Sequence, residues 1–392
     1  MWIKNITLLG VGGVDELALS FDPKMNIICG PNGIGKTTIL ESVAHVFSVG
    51  ATDVLKRNVR ALRSRIDAVV EVNGVDQKHH MEFDEFLPNK QNNVTGLRHL
   101  SQKLLSLKTS RTFGYRPLNA VARDAERPDH VNIGAARNGV ALNEVKNWFV
   151  NRYLYSAHNE SLTPSQLSNF RLACRAFSAL NCEFSFNRVD ASTNEILVDS
   201  PTGEIYYEYL SSGFKSCLSI IFGIIKEVEF RFSSPRLDAA DFDGIILIDE
   251  IELHLHPEWQ ARVLPVLAEM FPVAQFICTT HSPHVIQAAK AEQIIAIENL
   301  GSGARQRLLP ASEFGFIGWT IEEVLTDVMG MDDLRTDAYR AALKSFESAM
   351  DVENFVKAKD AYRKLDLMLH PKSLMRKMLR LQLGSLPESV DD

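Results

Sequence analysis

Apolar and polar positions along the chain fall into two registers. Over residues 2–9, 15–21, 66–72 and 77–83 they alternate, which is the period of a half-buried strand. The first pair is separated by Gly10-Val11-Gly12-Gly13-Val14 and the second is centred on Asn73-Gly74, both turn chemistry. Residues 25–29, 244–248 and 274–278 are short, largely apolar runs, as expected of strands covered on both faces. Residues 37–47, 163–180, 213–232, 257–271 and 283–289 repeat at helical spacing, and Thr163-Pro164 supplies a cap and a first-turn proline. Residues 94–107 and 142–157 also read as helices, joined by a polar Arg/Pro/Gly-rich connection at 108–140. Further strands are expected at 183–189, 195–199, 204–209 and 293–297. Beyond residue 315 the pattern is helical throughout, over 320–329, 337–349, 352–369 and 372–383.

Strands alternating with helices predict an α/β fold with a mixed β lobe, a largely parallel sheet flanked by helices, a helical insertion and a helical C-terminal cap. The segments divide as 1–89, 90–181, 182–314 and 315–392. No heptad run spans the insertion, and no repeat of 20 to 50 residues is visible.

Composition narrows the class. With 45% hydrophobic and 23% charged residues the chain reads as a soluble globular protein. No run of 18 apolar residues is present, and residues 1–7 lack the pattern of a secretory leader. The five cysteines (29, 174, 182, 217, 278) have no C-x-x-C spacing, so neither a zinc site nor a disulfide framework is expected. The cytoplasm is the expected compartment. The formal charge is −7, yet residues 101–175 carry a surplus of six positive charges. That segment reads either as a local surface for nucleic acid or an acidic partner, or as a solvated helical face. Lys372, Arg376, Lys377 and Arg380 form a second basic stripe at helical spacing.

The chemistry concentrates in four places. Gly30 to Thr37 fit G-x-x-x-x-G-K-[ST] between a strand and a helix. Gly30, Gly33 and Gly35 let backbone N–H groups turn inward around phosphate oxygens; Lys36 can reach the terminal phosphates and Thr37 can ligate Mg²⁺. Asn32 and Thr38 are expected to line the same loop. The apolar strand 244–248 ends in Asp249, placed for the Mg²⁺ shell, and Glu250, placed to polarise a water as general base. His281 follows the next apolar strand, where it could contact the γ-phosphate. Ser211-Ser212-Gly213 opens a long helix, an end whose free N–H groups attract phosphate. His254 and His256 invite a metal reading, but no third ligand stands at motif spacing.

This order resembles the ATP-binding-cassette head of the SMC/RecF-type and OLD-type ATPases. On that resemblance Gly30–Thr37 is Walker A, residues 210–215 a variant of the LSGGQ signature, Asp249-Glu250 Walker B, 252–257 the D-loop and His281 the switch histidine. The Leu253-His254-Leu255-His256-Pro257 and Thr279-Thr280-His281-Ser282-Pro283 wording, with residues 321–327, is similar to the stand-alone ATPases of anti-phage operons, the Septu PtuA group. Two departures are visible: Ser212 replaces the first signature glycine, and Phe214 stands where Gln or Glu is usual. Gln77 and Gln91 are candidates for the Q-loop glutamine.

The resemblance implies ATP with Mg²⁺ as ligands and two heads packed head-to-tail. Ser211 and Gly213 of one copy would then cap the γ-phosphate held by Lys36 of the other, in a homo-oligomer of at least two chains. It also implies a regulatory ATPase serving a separately encoded effector such as a nuclease, because no Toprim or H-N-H pattern is present in this sequence. The alternative is a RecF-like repair ATPase that binds DNA through the basic insertion; a membrane-transporter head is disfavoured by the size of that insertion.

Overall fold

The computed structural model describes residues 1–110, 117–124, 127–299, 303–310, 313–331 and 335–386. Two compact units divide it, Met1–Gly330 and Met331–Asp392.

The first unit begins with β1 (Trp2–Val11), β2 (Val14–Ser20), β3 (Met25–Cys29) and α1 (Lys36–Val46). Next come β4 (Val49–Thr52), β5 (Ser64–Val72), β6 (Val75–Phe83), β7 (Asn92–Thr95) and β8 (Leu104–Leu107). Helices α2 (Asp129–Asn138), α3 (Val145–Ser156) and α4 (Pro164–Leu180) precede β9 (Ser185–Val189), β10 (Ile196–Ser200) and β11 (Gly203–Tyr206). The remainder runs α5 (Ser212–Arg231), β12 (Ile245–Ile248), α6 (Pro257–Met270), β13 (Gln275–Thr279), α7 (Pro283–Ala288), β14 (Ile294–Asn299) and β15 (Ala304–Gln306). A turn of helix, α8 (Ile321–Glu323), leads into a π-helical stretch at Val324–Val328.

The central sheet has the order β15-β14-β3-β13-β12-β8, and its five strands other than β15 run parallel. β3, β8, β12 and β13 are buried at every position, as strands covered on both faces must be. The one amide among the side chains of β3, Asn26, is satisfied by the carbonyls of Asp22 (2.8 Å) and Phe276 (3.1 Å). An antiparallel sheet, β2-β1-β5-β6, alternates buried and exposed positions. Its inner face shares one apolar core with α1 through Ile6, Leu8, Val43 and Phe47. The architecture is therefore the expected mixed α/β head.

Helices α3, α4 and α5 form a helical lobe around Phe149, whose ring meets Phe170, Phe186 and Phe222 at 5.4, 5.0 and 5.1 Å. Thr163 caps α4, as expected, and with Gln166 closes a reciprocal capping box. The second unit holds α9 (Asp337–Asp351), α10 (Phe355–Met368) and α11 (Leu374–Leu383) around Phe346, Ala358 and Leu365. No helix among the described residues is long and apolar enough to cross a membrane.

Three expectations are corrected. Residues 94–107 are not a helix: β7, a short 3₁₀ turn and β8 occupy them. Leu104-Leu105-Ser106-Leu107 is an apolar run too short for periodicity to classify, and it becomes a strand by pairing in parallel with β12. The connection 108–140 contains α2, whose residues Asn132 and Ala136 are buried. The strand expected over 204–209 stops at Tyr206 and gives way to a 3₁₀ turn.

Candidate functional site

The site lies at the carboxyl edge of the central sheet, where β3, β13 and β12 stand side by side and each feeds a chemically distinct turn. The turn after β3 carries Gly30 to Thr37. Gly30 (φ +149°) passes so close to the neighbouring strand that a Cβ would lie 2.4 Å from the Ile297 carbonyl oxygen. Gly35 (φ +102°) is the left-handed residue before α1, and a Cβ there would come within 2.7 Å of Val14. Gly33 is also left-handed, with open space around it. The Lys36 ammonium donates to the carbonyls of Gly30 (2.8 Å) and Pro31 (2.9 Å), folded back on its own loop. Burial lowers its pKa, opposed by the Cys29 thiol and by the carboxylates of Glu252, Glu250 and Asp249. Thr38 accepts at its carbonyl from Ser42, inside the first turns of α1, and Asn32 stands exposed at the loop crest.

Asp249 and Glu250 follow β12. The Thr37 hydroxyl is 3.3 Å from both oxygens of Asp249, which is 5% exposed. Thr279, at the end of β13, fastens both acids. Its hydroxyl donates to Asp249 Oδ1 at 2.6 Å and accepts from the Glu250 N–H at 2.8 Å. Glu250 is itself left-handed (φ +47°), a conformation that costs a side-chain-bearing residue about 1–3 kcal/mol.

His281 is set by Glu252, whose two oxygens accept from the His281 N–H (2.5 Å) and the Thr280 hydroxyl (2.8 Å). Burial, then the Lys36 charge, lowers the His281 pKa below its ordinary value, against the pull of Glu252, Glu250 and Asp249. The shift favours the neutral imidazole. Gln260 ties the two loops together, accepting from the Ser282 hydroxyl (2.6 Å) and donating to the Leu255 carbonyl (2.8 Å).

The serine-led tip of α5 is a separate surface. Ser211 caps its own helix by accepting from the Phe214 N–H at 3.2 Å, while Ser211 and Ser212 stay exposed. Gly213 is buried, and a Cβ on it would lie 2.7 Å from Trp259 Cδ1. Phe214 packs edge-on against the same indole at 4.9 Å and against Phe184 at 5.1 Å. The phenyl ring at this position is thus a core residue rather than a ligand group. Among the described residues no hydrogen bond joins Ser211 to Gly213 with Lys36, Thr37, Asp249 or His281.

Several participants were given no role of their own by the motifs. Gln260 stood outside every motif, and Thr279 and Glu252, though inside quoted stretches, had no role until their bonds were seen. Arg307 is another: it donates to the Thr326 carbonyl (3.3 Å) and lies 3.3 Å from where a Cβ on Gly330 would sit, with Pro31 of the loop at 3.7 Å. Gln77 and Gln91 lie in or beside other sheets, on β6 and just ahead of β7, not at the carboxyl edge of the central one. The strand that borders Asp249 is β8, and Lys108-Thr109-Ser110 follow it with no glutamine. Among the described residues no group of three or more His, Cys, Asp or Glu could hold a metal ion by itself.

Five of the cations in the basic segment 101–175 are paired, four of them with acids from outside the segment. Lys103 pairs with Asp243, Lys108 with Glu41, Arg127 with Glu144, Lys146 with Glu195 and Arg152 with Glu229. Arg111 and Arg116 lie outside the described residues.

A phosphate-binding turn, an acid-tipped strand two places away and a histidine-bearing strand between them are the parts of a nucleoside-triphosphatase. Residues 25–287 match the family described as "AAA domain, putative AbiEii toxin, Type IV TA system". Septu protein PtuA of Bacillus thuringiensis is 41% identical over 99% of this chain and 99% of its own. The chain belongs to the AAA-domain ATPase family that includes PtuA. A second Septu PtuA, from Bacillus mycoides, is 24% identical over 79% of this chain and 41% of itself. The "Retron Ec83 probable ATPase" of Escherichia coli is 28% identical over 47% of this chain and 33% of its own. A solved SMC head domain from Thermotoga maritima aligns with 79% of this chain and 100% of its own at 16% identity and a TM-score of 0.49. The chain is thus an ATPase of a defence-associated family.

Proposed function

We propose that this ATPase hydrolyses ATP with Glu250 as general base, closes head-to-tail on a second copy of itself around the nucleotide, and so controls a separately encoded effector such as a nuclease. The observation that carries the reading is the Thr279 hydroxyl, which pins Asp249 beside Thr37 and fixes the main chain of Glu250 in one stroke. Lys36, held over the glycine turn on two carbonyls, is released to phosphate oxygens that outcompete neutral acceptors for an ammonium. The N–H groups of Gly33, Gly35, Lys36 and Thr37 face the same oxygens at the start of α1.

The Thr37 hydroxyl and the Asp249 carboxylate offer oxygen-only donors within 3.3 Å of each other, which suits Mg²⁺. Held by Thr37 and Asp249, Mg²⁺ would supply positive charge against the charge that develops on the phosphates. Glu250 accepts the proton of the attacking water, and neutral His281 contributes a directed hydrogen bond rather than a second charge next to Lys36.

The exposed Ser211 and Ser212, on a tip braced by Trp259, support the head-to-tail arrangement. Their hydroxyls and the free amides of α5 are donors available to a γ-phosphate held by another copy. The effector reading draws on the Septu and retron relatives and on the described strands, all of which belong to the ATPase unit.

Glu250→Gln tests the reading. It leaves the nucleotide contacts in place and removes the base, so hydrolysis should fall at least 100-fold while ATP-Mg²⁺ holds the chain in a larger assembly by light scattering. A Glu250→Gln protein whose mass ignores ATP-Mg²⁺ would end the head-to-tail proposal.

A further inference from the structure

Far from the glycine turn, Arg152 of α3, Gln166 of α4, the end of α5 and residues 123, 124, 127, 128, 233 and 236 line a cavity of about 560 Å³. Gly213 and Glu229 are sixteen residues apart on α5, so this cavity sits about 24 Å along the helix from the serine tip. Arginines dominate its wall: Arg123, Arg127, Arg152 and Arg236, against Asp124 and Glu229.

These charges do two jobs. The floor is saturated. Glu229, 3% exposed, accepts from Arg152 Nε (2.6 Å), Trp148 Nε1 (3.2 Å) and Asn169 Nδ2 (3.2 Å). Arg152 in turn reaches Asp124 and Asn151. Such a network fixes the shape of the cavity and leaves little of its own charge for a ligand. Two arginines differ. Arg123 and Arg236 are exposed, and neither has an ion-pair partner among the described residues. Two exposed guanidiniums without an ion-pair partner among the described residues, both lining the cavity, suit an oxyanion, above all a phosphate. Inside, Asp124 Oδ1 is buried with no hydrogen-bond partner, an acceptor waiting for a donor. Beside it the Phe230 ring faces the Arg127 guanidinium at 5.4 Å, a flat cation–π surface.

An anion alone meets the two exposed arginines but is repelled by the orphan carboxylate oxygen. A ligand with phosphate at one end and an N–H-bearing aromatic ring at the other satisfies both, and the volume accommodates it. We propose that this cavity binds a nucleoside phosphate, free or at the end of a nucleic-acid strand, with the phosphate at Arg123 and Arg236 and the base toward Asp124. Because α5 joins the cavity to the serine tip, occupancy there and nucleotide closure at the tip act on one rigid element.

Full-length Lys36→Ala protein tests the proposal with the glycine turn disabled. Three probes are titrated in low salt: AMP by calorimetry, and a labelled twelve-nucleotide DNA strand with 5′-phosphate or 5′-hydroxyl by anisotropy. Saturable binding of AMP, or of the phosphorylated strand over its hydroxyl counterpart by tenfold or more, supports the proposal. The first assigns a free nucleotide and the second a strand end. Either should weaken at least tenfold in Arg123→Glu/Arg236→Glu. The gentler Arg123→Gln/Arg236→Gln, with an unshifted thermal melt, guards against misfolding. No binding of any probe, equal binding of the two strands without AMP binding, or affinity unchanged by charge reversal would overturn it.

Discussion

Thr279→Val is the sharpest perturbation of the candidate site, because the two side chains are nearly equal in shape and differ by one hydroxyl. Thr279 is 1% exposed, so no water replaces what is removed. The 2.6 Å bond to Asp249 is charge-assisted and contributes about 1.5–3 kcal/mol. The Glu250 N–H, which donates to the same hydroxyl at 2.8 Å, loses its acceptor at a cost of about 1–3 kcal/mol. Because Glu250 is half-buried, the lower end of that range applies, giving a loss of about 2–4 kcal/mol in all. For a unit of this size that corresponds to a fall of about 3–6 °C in melting temperature. The catalytic effect should be larger than the binding effect. Lys36 and the glycine turn are untouched, so affinity for a fluorescent ATP analogue should change less than threefold. A displacement of about 1 Å in Glu250 lowers the chemical step by roughly 100-fold. Single-turnover phosphate release at saturating ATP-Mg²⁺ reads that step directly. Thr279→Ser, which keeps the hydroxyl, should behave close to the parent. A Thr279→Val protein that releases phosphate within twofold of the parent rate would refute the positioning role.

Two further perturbations follow from the same geometry. Gly213→Ala drives a methyl against Trp259 Cδ1 at 2.7 Å and should cost about 1–3 kcal/mol by overpacking, with ATP-dependent assembly lost by light scattering. Adding Trp259→Phe should restore much of the stability, and a double variant no better than the single would count against the clash. His45 is fully buried between the Glu41 carbonyl (2.6 Å) and the Thr52 hydroxyl (2.8 Å), and burial lowers its pKa from 6.5 to about 4. Between those values the unfolded chain binds a proton that the folded chain does not. Stability contributed by neutral His45 is therefore complete above pH 6.5 and is lost as pH falls toward 4, by at most about 3 kcal/mol. Denaturant midpoints for the parent and His45→Gln should diverge least at pH 4.5 and most at pH 7; parallel pH profiles would contradict the assignment.

What the residues could say alone was what depends on neighbours in the chain. The glycine turn needs only β3 before it and α1 after it, and its key bonds span five or six residues, from Lys36 to Pro31 and Gly30. Capping at Thr163 and Ser211 is equally local, and so was legible. The alternating first lobe and the acid-tipped apolar strand were readable for the same reason. β8 was not, because four apolar residues take on strand character only by lying against β12, 141 positions later. Phe214 looked like a flawed signature until Trp259 and Phe184 were brought around it. The basic surplus of 101–175 shrank once acids from distant segments, among them Glu41, Asp243 and Glu229, were folded against it. Thr279 and Glu252 are ordinary residues whose importance is a matter of distance to Asp249, Glu250 and His281. Hydrogen bonds and ion pairs act over a few ångströms in space, whatever the separation along the chain, so their partners were decided only when the sheet closed.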